Sequence, residues 1–261
     1  MEKILSYDGT PIAAYRSGTG PPLILVHGTG GANPAAWPAF PALAEHFTVV
    51  AVDRRGHGES GDGPTYSIER EFEDIAAFVD SLGEPANLLG HSFGGLCALE
   101  AALLTQNIRR LILYEALSPS IPGKPAYPEG LIDRLQTLLD SGDREGVLAG
   151  HYLENAGLTP GEIKQMRSSP AWPARLAAAH TIPRELRADE RYIFEAPRFK
   201  DLHVPVLLLA GGDSPDPLKV GTDIIARALP HCSVSVMPRQ RHIAMYTAPD
   251  LFQNKVLAFF Q

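Results

Sequence analysis

Ser92 sits between glycines in Gly90-His91-Ser92-Phe93-Gly94, and Gly95 follows directly. An apolar run at 86–89 leads into this stretch, and a run rich in alanine and leucine leads out of it. A Gly-x-Ser-x-Gly sequence between a strand and a helix makes a sharp turn that projects the serine hydroxyl from the sheet edge. Side chains two residues to either side would collide, so glycine is needed there. The chemistry open to such a serine is nucleophilic attack. A serine hydroxyl is weak at neutral pH, however, and needs a base within hydrogen-bond reach. A histidine base needs a carboxylate to hold its tautomer and stabilise the imidazolium. Two N–H groups aimed at the developing oxyanion complete the set.

Those parts must be brought together by a scaffold, and the apolar pattern says which. Short runs that read as strands lie at 12–16, in "PPLILVHG", "FTVVAVD", "ANLLG", "IRRLILYE", "VPVLLLAG" and "SVSVM", and "PPLILVHG" and "FTVVAVD" read as buried. Helical patterns lie between them. One at 35–47 is interrupted by Pro38 and Pro41. Another at 67–82 has Ser67 as N-cap. Others follow at 93–104, in "VGTDIIARAL" and in "PDLFQNKVLAFF". Strand–helix alternation of this kind implies a mostly parallel central sheet flanked by helices. From 118 to 200 the alternation stops and prolines recur between short helical patterns. This reads as a helical lid inserted after the strand that ends near Tyr114, splitting the core into 1–117 and 201–261. Ligands of open α/β sheets bind beyond the carboxyl ends of the strands, where such an insertion would cover them.

With the serine turn placed in that frame, the chain resembles the α/β-hydrolase superfamily over nearly its whole length outside the insertion. "LVHGTGG" (25–31) resembles the oxyanion strand end, and "VDRRGHGES" (52–60) the turn after the next strand. "LLLAGGDSP" (207–215) resembles the loop of the triad acid, and "RHIAMYTAPDLF" (241–252) the histidine loop, although Arg241 stands where glycine is usual. The resemblance implies Ser92 as nucleophile, His242 as base and Asp213 as acid, with Glu115 and Asp216 as alternative acids. It also implies an oxyanion hole made by the N–H groups of Phe93 and Thr29. His27 and His57 read as loop braces, and His91 as pointing away from the serine. Trp37, Tyr127, Tyr152 and Trp172 are candidates for the substrate pocket. Arg54 and Arg55 read as solvated turn charges.

The implied activity is cleavage of a small or medium carboxylic ester, lactone or thioester through an acyl-enzyme, without a cofactor. A serine rather than an aspartate nucleophile argues against a dehalogenase or epoxide hydrolase, which need an alkyl-enzyme ester. Perhydrolysis of the haloperoxidase type, carbon–carbon bond hydrolysis and biosynthetic thioester release use the same parts. A non-catalytic small-ligand binding protein is the reading from another class. The net charge of −7 argues against a nucleic-acid partner or an anionic membrane surface. The N-terminal residues have no signal-peptide pattern, no run is long enough to span a membrane, and a cytoplasmic protein is expected. Cys97 and Cys232 lack metal-type spacing and read as buried thiols. "GTGGANP" lacks the Gly-Lys-Ser/Thr of a phosphate loop.

Overall fold

The computed structural model describes residues 1–31, 37, 40–119 and 125–261. Pro38 and Pro122, and most of the pattern at 35–39, lie outside the described residues. Eight strands among them form one sheet: β1 (Glu2–Leu5), β2 (Pro11–Ser17), β3 (Pro22–Val26), β4 (Thr48–Val52), β5 (Ala86–His91), β6 (Ile108–Tyr114), β7 (Val206–Gly211) and β8 (Cys232–Met237). Their order is β1-β2-β4-β3-β5-β6-β7-β8. β1, β2 and β4 pair antiparallel, and every pair from β4 to β8 is parallel. β1 has no apolar run to announce it. It alternates between half-buried and exposed positions at the sheet edge.

The central strands are continuously apolar because both faces are covered. Leu23, Leu25, Leu89, Ile112 and Leu209 face one layer, with Phe252 and Val256 of the closing helix. Ile24, Val26, Leu88, Leu111 and Leu208 face the other, with Phe72, Ile75 and Val79. The helices are α1 (Pro41–Ala44), α2 (Ile68–Ser81), α3 (Phe93–Ala101), α9 (Asp216–Ala228), α10 (Ala244–Thr247) and α11 (Pro249–Phe260). Ser67 takes the N-cap position of α2 in an extended conformation, but its hydroxyl makes no capping bond.

Between β6 and β7 lie α4 (Leu131–Asp140), α5 (Arg144–Gly150), a π-helical turn (His151–Asn155), α6 (Pro160–Arg167), α7 (Trp172–Ala178) and α8 (Ile182–Arg191). They pack around a small core of their own that includes Leu131, Leu135, Val147, Leu148, Trp172 and Ile182. No helix among the described residues is long and apolar enough to cross a membrane. Cys97 is buried, whereas Cys232 is only half-buried on the edge strand β8.

The turn after β4 corrects one expectation. Arg54 and Arg55 are both fully buried. Arg55 forks onto Asp74 of α2, with both bonds at 2.7 Å, and reaches Asp8 at 3.2 Å. Asp74 and Glu71 lie one helical turn apart on the buried side of α2, so the helix brings acids to the turn's two cations. Removing one partner of a buried pair strands the other charge. Arg55→Ala is therefore expected to lower the unfolding free energy by about 3–5 kcal/mol in urea denaturation.

Candidate active site

Ser92 lies between β5 and α3 with φ 54° and ψ −131°. Its N–H donates to the Tyr114 carbonyl at 2.9 Å, and its carbonyl accepts from Gly95 at 2.7 Å and Leu96 at 3.1 Å. The glycines around it are fitted to close approach. A Cβ on Gly90 would fall 2.6 Å from the Gly95 Cα, and one on Gly28 would fall 2.8 Å from the Ser92 Cβ. The loop after β3 thus runs directly against the serine turn. Phe93 opens α3, where backbone N–H groups have no intrahelical acceptor and favour negative charge.

The loop between β8 and α10 carries His242. Two strand ends hold it in place. The Tyr114 hydroxyl donates to the Arg241 carbonyl and accepts from the Ala244 N–H at 3.1 Å. The His91 ring donates through Nε2 to the His242 carbonyl at 2.8 Å, and the two rings lie 4.5 Å apart. Burial, with His242 alongside, pushes the His91 pKa well down, so His91 stays neutral. The His91 ring packs on that of His242 and lines the same cavity as Ser92.

The carboxylate that meets His242 is Glu115, not Asp213. His242 Nδ1 donates to Glu115 Oε2 at 2.6 Å. The other carboxylate oxygen, Oε1, accepts from the Gly211 N–H at 2.7 Å. Glu115 is buried and follows directly after β6 with φ 47°. Asp213 is exposed, and its N–H is turned to the Gln240 carbonyl. Asp216 is also exposed, in the first turn of α9. The cause lies at the end of β7. A Cβ on Gly211 would fall 2.6 Å from the Gln240 carbonyl oxygen and 2.9 Å from the Arg241 Cα. The histidine loop therefore packs directly on this strand end, and Asp213, two residues on, meets that loop only through its backbone N–H and is exposed.

A cavity of about 430 Å³ opens beside these groups. Ser92, His242, Glu115, Thr29 and Phe93 line it, with Tyr127, His151, Tyr152 and Arg175 from the insertion. Of the remaining pocket candidates, Trp37 lines an adjoining cavity and Trp172 lies in the core of the insertion. No cluster of histidine, cysteine and acidic residues suited to a metal occurs among the described residues.

The sequence match of residues 23–253 to the alpha/beta hydrolase family covers the sheet from Leu23 onward, the serine turn and the histidine loop. The chain belongs to that family. A solved alpha/beta hydrolase from Sphaerobacter thermophilus DSM 20745 superposes with a TM-score of 0.85 at 35% identity, covering 100% of both chains. A protein of Agrobacterium fabrum named for carbamate hydrolysis is 28% identical over 92% of each chain. The (E)-2-((N-methylformamido)methylene)succinate hydrolase of Acinetobacter baylyi is 25% identical over 100% of this chain and 98% of its own. Family and relatives together support a hydrolase.

Beneath the cavity lies a charged cluster that the sequence reading missed. Arg54 donates to Glu71 at 2.9 Å, to Glu185 of α8 at 2.8 Å and to the His27 carbonyl at 2.9 Å. The available signal was Glu71, an acid beside the apolar stripe of α2. Glu185 lay in the segment where the pattern says least. Burial pushes the Glu71 carboxyl up, Arg54 opposes that, and the Glu185 charge adds to it. Burial also works against an ionised Glu185, but Arg54 wins there and holds its pKa below the usual value. His27 and His57 are kept neutral by burial and by the Arg54 charge.

Two outcomes follow from these contacts. Glu115→Gln is expected to abolish a downfield proton resonance of the His242 Nδ1–H, and Asp213→Asn to leave it in place. For Glu71 the folded carboxyl binds its proton more tightly than the unfolded one, so its stabilising contribution is complete in acid and fades as pH rises. Glu71→Gln should therefore gain stability relative to the wild type between pH 5 and pH 8.5, measured by urea denaturation.

Proposed function

We propose that this protein is a serine hydrolase of small or medium carboxylic esters, lactones or thioesters. The observation that carries the reading is the 2.6 Å contact of His242 Nδ1 with a buried carboxylate, on a ring that lines the same cavity as Ser92. A carboxylate there fixes the proton on Nδ1 and leaves Nε2 as the base. In this reading Ser92 Oγ attacks the acyl carbon while His242 Nε2 takes its proton. The tetrahedral oxyanion is held by the N–H groups of Phe93 and Thr29. The C–O or C–S bond to the leaving group then breaks, and His242 returns the proton to that group. Water, deprotonated by the same Nε2, attacks the acyl-enzyme and releases the acid and Ser92. A cavity of about 430 Å³ suits a small substrate.

The two relatives named for a carbamate and for an N-methylformamido compound favour a second reading, cleavage of an acyl–nitrogen bond by the same groups. Esters and amides matched in acyl part would separate the two by turnover.

Intact-mass measurement after exposure to a small fluorophosphonate should show a single adduct, absent in Ser92→Ala and formed much more slowly in His242→Ala. Glu115→Gln should lower kcat by about 10³–10⁴-fold, and Asp213→Asn should not change it. A folded wild type that takes no adduct and turns over no acyl substrate would favour a binding protein instead.

A further inference from the structure

The insertion reaches the loop after β3 directly at Gly30 and, through Arg54, at Gly28. The Gly30 carbonyl accepts from the Tyr152 hydroxyl at 2.7 Å and from Arg175 Nη1 at 2.9 Å. The His151 ring lines the same cavity as Thr29, and Asn155 lies 3.3 Å from its Nδ1. Glu185 holds Arg54 Nη2, which in turn reaches the Gly28 carbonyl at 3.4 Å. These donors and acceptors come from the π-helical turn, α7 and α8, three separate pieces of the insertion.

The geometry of the peptide unit gives this grip a consequence. In a trans peptide the N–H of Thr29 points opposite to the carbonyl of Gly28. That carbonyl is held by His27 Nδ1 at 2.9 Å, by the Gly31 N–H at 3.1 Å and by Arg54. Fixing the carbonyl fixes the direction of the N–H. Arg54 also lies 5.0 Å over the ring of Phe93, the residue that supplies the other N–H. One buried cation thus contacts the peptide unit that carries the Thr29 N–H and the side chain of Phe93, and α8 supplies one of its two acidic partners.

We propose that the insertion is a positioning element of the oxyanion hole. Glu185, through Arg54, and Tyr152, through the Gly30 carbonyl, keep the 28–30 loop in the orientation that aims the Thr29 N–H at the oxyanion. Neither residue acts on the substrate in this role. The loop is rich in glycine, with Gly30 at φ 69°. The inference rests on the serine hydrolase reading.

The test compares two ketones of the same shape. A trifluoromethyl ketone adds to an activated serine and forms an oxyanion, whereas its methyl ketone parent binds without addition. The ratio of their dissociation constants therefore reads the oxyanion hole apart from the rest of the pocket. In Glu185→Gln, with folding checked by urea denaturation, the trifluoromethyl advantage is expected to fall at least about 10-fold while methyl ketone binding holds. kcat should fall in step, with KM unchanged. Tyr152→Phe, which removes one hydroxyl and leaves the charge cluster intact, should show the same signature more weakly, and it decides the matter if Glu185→Gln does not fold. An unchanged ratio in the folded variants, or equal losses for both ketones, would overturn the inference while leaving the nucleophile in place. A wild type with no trifluoromethyl advantage would overturn the serine hydrolase reading and this inference with it.

Discussion

The backbone at Ser92, with φ 54° and ψ −131°, occupies a sparsely populated region that costs an ordinary residue roughly 1–3 kcal/mol. The turn keeps it because its neighbours leave no alternative. β5 ends at His91, just after Gly90, α3 begins at Phe93, and Tyr114 and Leu96 bind the serine's own N–H and carbonyl. The strain turns a residue at the end of a buried strand into one whose side chain meets the cavity. Everything else at this end of the sheet is arranged around that point. The loop after β3 must come close enough to touch the Ser92 Cβ, which is why Gly28 precedes Thr29. The histidine loop must reach across β5 and β6, where His91 and Tyr114 hold it.

A second constraint lies under the first. The chain buries two adjacent arginines at the foot of the site. Desolvating a charge costs several kcal/mol, and pairing rarely repays more than that cost. Such a cluster is therefore weak evidence for stability and better evidence for a defined arrangement. Arg54 has bonds to a carbonyl of the loop after β3, an acid of α2 and an acid of the insertion, so these three elements take up one mutual geometry. Arg55 does the same for α2 and the turn before β2, through Asp74 and Asp8.

The acid shows how far a motif can be trusted. The loop at 207–215 looked like the place for it, and Asp213 is there, but the strand end before it is packed against the histidine loop and the aspartate is left in solvent. β6 lies next to β7, and a glutamate at its end has the length to reach His242 across that gap. Both sites lie at the carboxyl ends of neighbouring strands, so the chain order Ser, acid, His is the same for either.

The sequence alone determined the alternation of strands and helices, the buried faces, the serine turn and the loop of His242. These depend on local pattern: apolar runs, glycine spacing and the order of motifs along the chain. Even Ser67 and the helix that follows it were legible in this way. Tertiary structure decided which carboxylate faces His242, which charges are buried and which aromatics reach the cavity. Arg54 and Arg55 look like turn charges until α2 and α8 bring Glu71, Asp74 and Glu185 to them from 17, 19 and 131 residues away. Trp172 and Tyr152 carry similar pattern signals and share the insertion's core, yet of the two it is Tyr152 that also lines the cavity and bonds to Gly30. The physical reason is the same in each case. Periodicity records which face of an element is dry, but a pairing of polar groups depends on which distant element covers that face.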